Sequence, residues 1–303
     1  MANLSTPLAV QLSGLSKFYG SVRGVVDLDL EVHTGEVFGY LGPNGAGKTT
    51  TIRVLLDLLR PTSGSATVLG LDSVADAIDI KRRVGYLPGE LALYDNMTGL
   101  QLLEYFGSLR GGIEWPYARA LAERLDFDPS MKIKEYSSGN RQKLGLIQAF
   151  VSRPELLILD EPTSGLDPLM QQTFLKMVDE VREEGRTVFL SSHDLPEVEA
   201  VADRVAIIRE GVLVTVSGIA ELRTKAMRRI QITFANNVPI DEFANLPGVG
   251  NVSALGSVME LSVEGTMDRV IKAASGHEVL NFRSAEADLE DVFLNYYRGQ
   301  DVQ

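Results

Sequence analysis

The glycine-rich segment "GPNGAGKTT", residues 42–50, constrains the fold of this chain more than any other stretch. It matches the pattern G-x-x-x-x-G-K-[ST] through Gly42, Gly47, Lys48 and Thr49. A chain of this length contains such a match by chance about once in a hundred cases. The apolar run "EVFGYLG" leads into the segment, and "TIRVLLDLLRP" follows it with helical apolar spacing. The order predicts a buried strand, a tight loop, and a helix that continues to Pro61.

The chemistry of this loop suits phosphate groups. Glycines let the backbone approach phosphate oxygens, and the loop amides then point inward at the positive end of the following helix. We expect Lys48 to reach the β- and γ-phosphates, Thr49 to offer its hydroxyl to Mg²⁺, and Thr50 to contact an α-phosphate oxygen. The nucleotide-binding residues predicted from the rest of the loop are Gly42, Asn44, Gly45, Ala46 and Gly47.

A second signal is the stretch "LLILDEPTSGLDP", residues 156–168, in which a buried strand ends in two carboxylates. Desolvated carboxylates are costly unless a positive charge lies beside them, and nucleotide-bound Mg²⁺ supplies that charge. We expect Asp160 to hold the metal through water and Glu161 to orient or deprotonate the attacking water. The alternative is a solvated acidic turn, which is common at strand ends.

A histidine follows the next apolar strand. His193 comes directly after "TVFLSS", so it should emerge at the carboxyl end of a strand, where ligand sites of α/β proteins form. A neutral imidazole there can hydrogen-bond the γ-phosphate and sense its loss. The alternative is a helix-capping or surface histidine.

The chain divides by pattern into two predicted domains, residues 1–222 and 223–303. In the first, alternating strands at the start suggest antiparallel pairing, and the pattern between about residues 90 and 153 is helical. The near-continuous apolar runs "ELLILD" and "RTVFLSS" are typical of a parallel sheet buried on both faces. From about Arg223 the strand and helix patterns predict a small α+β unit.

The composition of the chain argues against several classes of function. The 303 residues include no cysteine and carry a formal net charge of −12, which argues against disulfides, thiolate chemistry and a nucleic-acid partner. No apolar run has the roughly 18–20 residues that cross a bilayer, and the start lacks the features of a signal peptide. We therefore expect a cytoplasmic location.

Together these segments resemble the ATP-binding subunits of ABC transporters over residues 8–222. The motifs follow the family order: the phosphate loop, a signature at residues 136–140, the acidic strand, "SGLD" at residues 164–167, and His193. The signature, LSGGQ in the family, is YSSGN here. The resemblance implies an α/β P-loop NTPase fold with a mixed sheet core, an antiparallel β subdomain and a helical subdomain, followed by the small α+β domain. It also implies ATP and Mg²⁺ as ligands.

In this family two copies pair head to tail, and the signature of one copy closes over the γ-phosphate bound by the other. The resemblance therefore implies a homodimer with two shared ATP sites, Asp167 at the seam, and Glu161, His193 and Lys48 as the catalytic residues. The signature residues implied to contact the nucleotide are Ser137, Ser138, Gly139 and Asn140. Tyr19 is implied to stack on adenine; Phe18 as the stacking residue, or Tyr19 as strand packing, remain alternatives.

One segment of the chain departs from the family pattern, and another resembles one branch of the family. Many relatives carry a glutamine after "YLP" that lines the Mg²⁺ and water site, but Gly89 stands there in this chain. Either the neighbouring Glu90 substitutes as a metal ligand or water fills the role. The ending "ADLEDVFLNYYRG" resembles ATP-binding subunits of ABC-2 type exporters, such as drug and antibiotic-resistance systems.

The expected function is a peripheral ATPase on the cytoplasmic face of the cell membrane, which powers an export permease on a separate chain. Two alternatives remain. One is a non-transport ABC ATPase with a regulatory or nucleic-acid-associated role, against which the single motif set and the acidic balance argue. The other is an ATP-dependent binding module with little hydrolysis, against which Glu161 argues.

Overall fold

The computed structural model describes residues 7–225 and 228–284. By its contacts the chain forms two compact units, Met1–Val216 and Ser217–Gln303. The division falls six residues before the boundary expected from the sequence pattern at residue 222. The two units are described separately below.

The strands of the first unit form two sheets. In chain order they are β1 (Leu8–Tyr19), β2 (Val22–His33), β3 (Val37–Leu41), β4 (Ser63–Val68), β5 (Leu71–Asp72), β6 (Val84–Leu87), β7 (Leu156–Asp160), β8 (Thr187–Ser192), β9 (Arg204–Arg209) and β10 (Val212–Gly218), the last of which crosses the unit boundary. One sheet has the order β2-β1-β4-β5, and all its pairs are antiparallel. This is the predicted antiparallel β subdomain.

The second sheet has the order β10-β9-β3-β8-β7-β6 and forms the centre of the unit. Strand β3 pairs in parallel with β8 and β9, and β7 pairs in parallel with β6 and β8. Every residue of β3, β7 and β8 is buried, as their continuous apolar runs predicted. Because these strands are parallel, their carboxyl ends at Leu41, Asp160 and Ser192 meet at one edge of the sheet.

The helices of the first unit are α1 (Lys48–Leu55), α2 (Ala77–Arg83), α3 (Gly99–Ser108), α4 (Trp115–Arg124), a short 3-10 helix (Ile133–Glu135), α5 (Ser138–Phe150), α6 (Pro168–Glu183) and α7 (Leu195–Val201). Helices α3 to α5 lie between β6 and β7 and form the predicted helical subdomain. Thr98 caps α3 in a capping box with Gln101.

Helix α1 is shorter than its apolar pattern predicts. It ends at Leu55 rather than just before Pro61, because Asp57 adopts a left-handed backbone conformation with φ of 49°. The amide of Leu58 then bonds back to the carbonyl of Arg53 at 2.8 Å. A left-handed residue with such a backward bond is a common way to end a helix.

The second unit is an α+β sandwich of one sheet and short helices, as predicted. Its elements are α8 (Ile219–Lys225), β11 (Arg228–Phe234), α9 (Asp241–Ala244), β12 (Val249–Leu255), β13 (Val258–Val263), α10 (Asp268–Ala274) and β14 (Val279–Ser284). The sheet has the order β12-β13-β11-β14, with all pairs antiparallel. The exporter-like segment "LEDVFLNYY" lies outside the described residues.

Each unit has a hydrophobic core of its own. In the first, side chains such as Phe38, Tyr40 and Phe189 pack around the central sheet. In the second, Ile232, Phe234 and Phe243 are among the residues that fill the space between the sheet and its helices. Across the described residues, no helix combines the length and apolar character needed to span a membrane.

Candidate nucleotide site

The phosphate loop lies between the end of β3 and the start of α1, as its motif predicted. Gly47, the residue before α1, has φ of 109°, and a side chain at Gly42 would meet the carbonyl oxygen of Ile208 at 2.4 Å. Glycine is therefore required at both positions, once for conformation and once for space. Gly45 faces open space but has φ of 80°, so its conformation also favours glycine. Ala46 is buried, and its carbonyl accepts a bond from the Gly211 amide at 2.9 Å, which holds the loop in place.

A cleft of about 130 Å³ opens over this loop. The residues that line it are Asn44, Gly45, Gly47, Lys48, Thr49, Thr50 and Glu161. Six of these seven belong to the predicted phosphate loop, and the seventh comes from the acidic strand end. The structure thus brings the two strongest motifs of the sequence to one cleft, although 111 residues separate Thr49 from Asp160 in the chain.

Asp160 is fully buried and contacts Thr49 of α1, the helix that follows the phosphate loop. Thr49 Oγ1 donates to its Oδ2 at 2.8 Å, and Ser191 Oγ donates to its Oδ1 at 2.5 Å. A hydroxyl and a carboxylate together are the hard oxygen donors that Mg²⁺ prefers, so Thr49 and Asp160 fit this ion. Burial, with the nearby Asp160 carboxylate as a second cause, raises the pKa of Tyr86 to about 12 and keeps its phenol neutral.

Glu161 bridges a cation and a histidine. Its Oε1 lies 3.0 Å from Lys48 Nζ, and its Oε2 lies 2.6 Å from His193 Nδ1. Lys48 is only 5% exposed and also donates to the carbonyl of Gly42 at 2.6 Å. Glu161 itself has φ of 51°, a left-handed conformation that is unusual for a residue other than glycine. The three predicted catalytic residues therefore form one contact chain at the cleft.

The signature segment caps helix α5. Ser137 is the N-cap, and its Oγ accepts a bond from the amide of Asn140 at 3.2 Å, which leaves its O–H able to donate. A side chain at Gly139 would come within 2.8 Å of the carbonyl oxygen of Gly165, so glycine is needed there. Tyr136, which leads the segment, is buried against Phe127. Among the described residues, the lining of the cleft includes none from residues 136–140.

Two other predicted residues lie at element boundaries. Asp167 is the N-cap of α6, and its Oδ1 accepts bonds from the amides of Leu169 and Met170, each at 3.0 Å. Tyr19 ends β1 with 45% of its surface exposed, and its hydroxyl is 3.3 Å from Thr50 Oγ1. Tyr19 is thus beside the loop, with an aromatic ring available to a ligand.

Glu90, the predicted alternative metal ligand, does not line the cleft. Its side chain is exposed, and no group of three or more acidic or histidine residues in the described part of the chain is arranged to hold a metal. Gly89 instead lies against the site, because a side chain built there would approach Asp160 Oδ2 to 3.2 Å. The space beside the Asp160 carboxylate is therefore left open by a glycine.

Three residues of the site were missed in the sequence. Ser191 binds Asp160, Gln142 donates to the carbonyls of Glu161 at 3.2 Å and Pro162 at 2.8 Å, and Glu197 is a buried carboxyl behind the His193 turn. The two serines that end the apolar run "TVFLSS" were a usable signal. Nothing in the local pattern distinguishes Gln142 or Glu197 from other polar residues of their helices.

Comparisons with known proteins agree with these features. A family model described as ABC transporter matches residues 25–164. The daunorubicin/doxorubicin resistance ATP-binding protein DrrA of Streptomyces peucetius is 38% identical, over 73% of this chain and 69% of that protein. An ABC transporter ATP-binding protein of Synechocystis is 38% identical, over 66% of this chain and 58% of that protein.

Solved structures with this fold include an ATP-binding subunit of an ABC transporter, with a TM-score of 0.65, 29% identity, and coverage of 71% of this chain and 92% of that one. A dimeric bacterial ABC transporter cassette has a TM-score of 0.64 and 19% identity, with coverage of 69% and 98%. The fold class predicted from the motifs is confirmed by this likeness and by the sheet topology.

One relative matches along almost its whole length. The bacitracin transport ATP-binding protein BcrA of Bacillus licheniformis is 30% identical over 299 residues, 96% of this chain and 97% of that protein. With the family model and the drug-resistance relatives, this match confirms the predicted resemblance. The chain belongs to the family of ABC transporter ATP-binding proteins.

Proposed function

We propose that this chain is the ATP-hydrolysing subunit of an ABC exporter, which closes as a homodimer around two ATP molecules and powers a separate membrane permease. The observation that carries the proposal is the contact chain from Lys48 through Glu161 to His193 at the edge of the phosphate-loop cleft. A binding module with little turnover has no use for a carboxylate placed between these two groups.

The proposed chemistry assigns one task to each residue of this chain. Lys48 stabilises the negative charge that develops on the β- and γ-phosphates, where a buried ammonium acts in a poorly screened environment. Glu161 accepts a proton from the attacking water, and His193 orients the Glu161 carboxylate and contacts the γ-phosphate. The loop amides and Thr50 hold the remaining phosphate oxygens, and Tyr19 holds the adenine.

Mg²⁺ fits the Thr49 and Asp160 oxygens, and when bound it would neutralise phosphate charge. Ser191 supports this pair by fixing Asp160 from the opposite side. Glu90 is left out of this proposal, since its side chain is exposed and does not line the cleft. We expect hydrolysis to stop when EDTA removes Mg²⁺.

A second copy of the chain completes the site in this proposal. The free O–H of Ser137 and the amides at the N-terminus of α5 are donors suited to a γ-phosphate, yet they line no part of their own chain's cleft among the described residues. The signature contacts proposed to act across the seam come from Ser137, Ser138, Gly139 and Asn140. Asp167 lies at the same seam.

The proposed permease and location are supported by the names of the relatives rather than by this chain's own surface. The bacitracin relative is named a transport ATP-binding protein, and the daunorubicin relative a resistance ATP-binding protein. By analogy, this chain sits on the cytoplasmic face of the cell membrane, bound to an integral-membrane partner that carries the cargo. A nucleic acid is not among its proposed partners.

The test compares ATP hydrolysis by the wild type with that of Glu161→Gln, followed by size-exclusion chromatography with ATP and Mg²⁺. We expect kcat to fall by about 10²- to 10³-fold, because the general base is lost. The same variant should elute as an ATP-containing dimer. Glu183→Gln, on the exposed face of α6, is the matched control and should behave as the wild type.

Wild-type turnover in Glu161→Gln would overturn the catalytic assignment. A variant that is inactive yet monomeric at saturating ATP would contradict the shared-site homodimer. Copurification of a membrane protein encoded beside this chain would support the exporter, whereas stable copurification of RNA would favour the non-transport alternative.

A further inference from the structure

Glu197, on helix α7, is a buried carboxyl group that has no role in the proposed ATP chemistry. It is only 7% exposed, and it lies four residues after His193 in the chain. A buried carboxyl group is costly to keep unless its hydrogen bonds are satisfied and useful. Its partners show what it holds together.

The partner of Glu197 is the turn that carries His193. Ser192 Oγ donates to Glu197 Oε2 at 2.5 Å, and the same oxygen of Ser192 accepts a bond from the amide of Asp194 at 2.9 Å. Ser192 and Asp194 flank His193 on both sides. Glu197 therefore fixes the local backbone from which the His193 ring projects.

The turn that carries Glu161 lies next to the His193 turn. The amide of Glu161 donates to the carbonyl of Ser191 at 3.1 Å, and Ser191 directly precedes Ser192. Only one of the two carboxyl oxygens of Glu197 is well paired, because Oε1 has no bond of good geometry among the described residues. Glu197 thus fixes one of the two neighbouring turns, and the functional side chains of these turns, Glu161 and His193, meet at 2.6 Å.

We propose that Glu197 is a positioning residue for ATP hydrolysis, which fixes the His193 turn so that the His193 ring meets the Glu161 carboxylate. This inference rests on the proposed function, since it assumes that the Glu161–His193 contact serves hydrolysis. Glu197 acts through this turn and does not itself touch the nucleotide.

The charge of Glu197 gives the proposal a pH signature. Burial is the main cause that raises its pKa to about 7, and the negative charges of Asp194 and Glu161 add to the effect. Below pH 7 the group is neutral and can both donate and accept. As the pH rises above 7 it becomes a buried anion that is repelled by the carboxylates of Asp194 and Glu161, and we expect this repulsion to disturb the His193 turn.

The experiment measures kcat and KM for ATP from pH 6 to 9 in the wild type, Glu197→Gln and Glu197→Ala. The wild type should lose kcat as the pH rises through about 7, whereas Glu197→Gln, which is neutral at every pH, should keep its kcat and lack that decline. Glu197→Ala should lose about 10- to 100-fold in kcat with little change in KM, because misplacement affects the reaction more than binding. Glu199→Gln, on the same helix, is the matched control and should follow the wild-type profile.

A second readout does not depend on turnover. The ¹³Cε1 chemical shift of His193, assigned by its loss in His193→Ala, should move in Glu197→Ala because the ring leaves Glu161, and should stay in place in Glu199→Gln. An unmoved signal in Glu197→Ala, or a Glu197→Gln enzyme that keeps the alkaline decline, would overturn the inference. A wild type without ATPase activity would instead contradict the proposed function, while the chemical shift would still decide the role of Glu197.

Discussion

At the scale of single residues, Tyr19 offers the sharpest test of nucleotide recognition. Its ring is partly exposed next to Thr50, and base stacking on an aromatic side chain contributes about 1–3 kcal/mol. We expect Tyr19→Ala to weaken ATP binding by about tenfold or more, and Tyr19→Phe to preserve it. Isothermal titration calorimetry with ATP, and with tripolyphosphate as the ligand without adenine, measures the effect.

The tripolyphosphate affinity should be the same in all three proteins, because the phosphate loop is unchanged. Phe18→Ala is the matched control, since Phe18 is the neighbouring exposed aromatic residue. If Phe18→Ala weakens ATP binding and Tyr19→Ala does not, Phe18 is the stacking residue. An equal loss of tripolyphosphate binding in Tyr19→Ala would show that the side chain supports the loop rather than the base.

The residues that sequence could predict are those whose chemistry follows from local order. Lys48 and Thr49 belong to a fixed spacing, and Glu161 and His193 follow buried strands whose carboxyl ends had to meet at one edge. Ser191 binds Asp160 only because β7 and β8 are neighbours in the sheet. The order of strands in a sheet cannot be read from the sequence of either strand, so this contact could not be predicted.

At the scale of elements, Gln142 ties the signature helix to the catalytic turn. From α5 its Nε2 bonds the carbonyls of Glu161 and Pro162, and the side chain is buried. We expect Gln142→Leu to lower kcat by about tenfold with an unchanged Kd for ATP, because the phosphate loop is intact while the Glu161 turn loses its support. Leaving these two buried carbonyls unpaired should also lower the free energy of unfolding by about 1–3 kcal/mol for each. The Tm should fall accordingly.

Gln148→Leu is the matched control for this change, as it is the same substitution on the same helix with no bond to the Glu161 turn. Stopped-flow nucleotide binding, steady-state hydrolysis and thermal melting together separate binding, catalysis and stability. A Gln142→Leu protein with wild-type kcat would show that α5 does not position Glu161.

Helix patterns predicted which elements exist better than where they end. The starts of two helices follow from a few neighbouring residues. Helix α3 begins at the capping box of Thr98, and α6 begins at the pair Asp167-Pro168. The end of α1 could not be predicted from the apolar spacing, because this spacing continues beyond Leu55 while the backbone turns at Asp57.

At the scale of the whole molecule, the two units are expected to fold independently. The first has a core around the central sheet, and the second has a core between its own sheet and helices. Every residue proposed to bind ATP lies in the first unit, from Tyr19 to His193. We therefore expect the small unit to be dispensable for nucleotide binding, whereas pairing of the subunits and contact with the permease can still depend on it.

A fragment of residues 1–222, which ends at the boundary expected from the sequence, tests this division. It contains all of β10, and we expect it to melt cooperatively and to bind ATP with a Kd within about twofold of the full chain. A fragment of residues 1–211 is the matched control, because it lacks β10 at the edge of the central sheet and should have a lower Tm. If residues 1–222 fail to fold while the full chain melts in one transition, the two units form a single cooperative domain. If residues 1–222 bind ATP normally but no longer dimerise at saturating ATP, then the second unit contributes to pairing of the subunits.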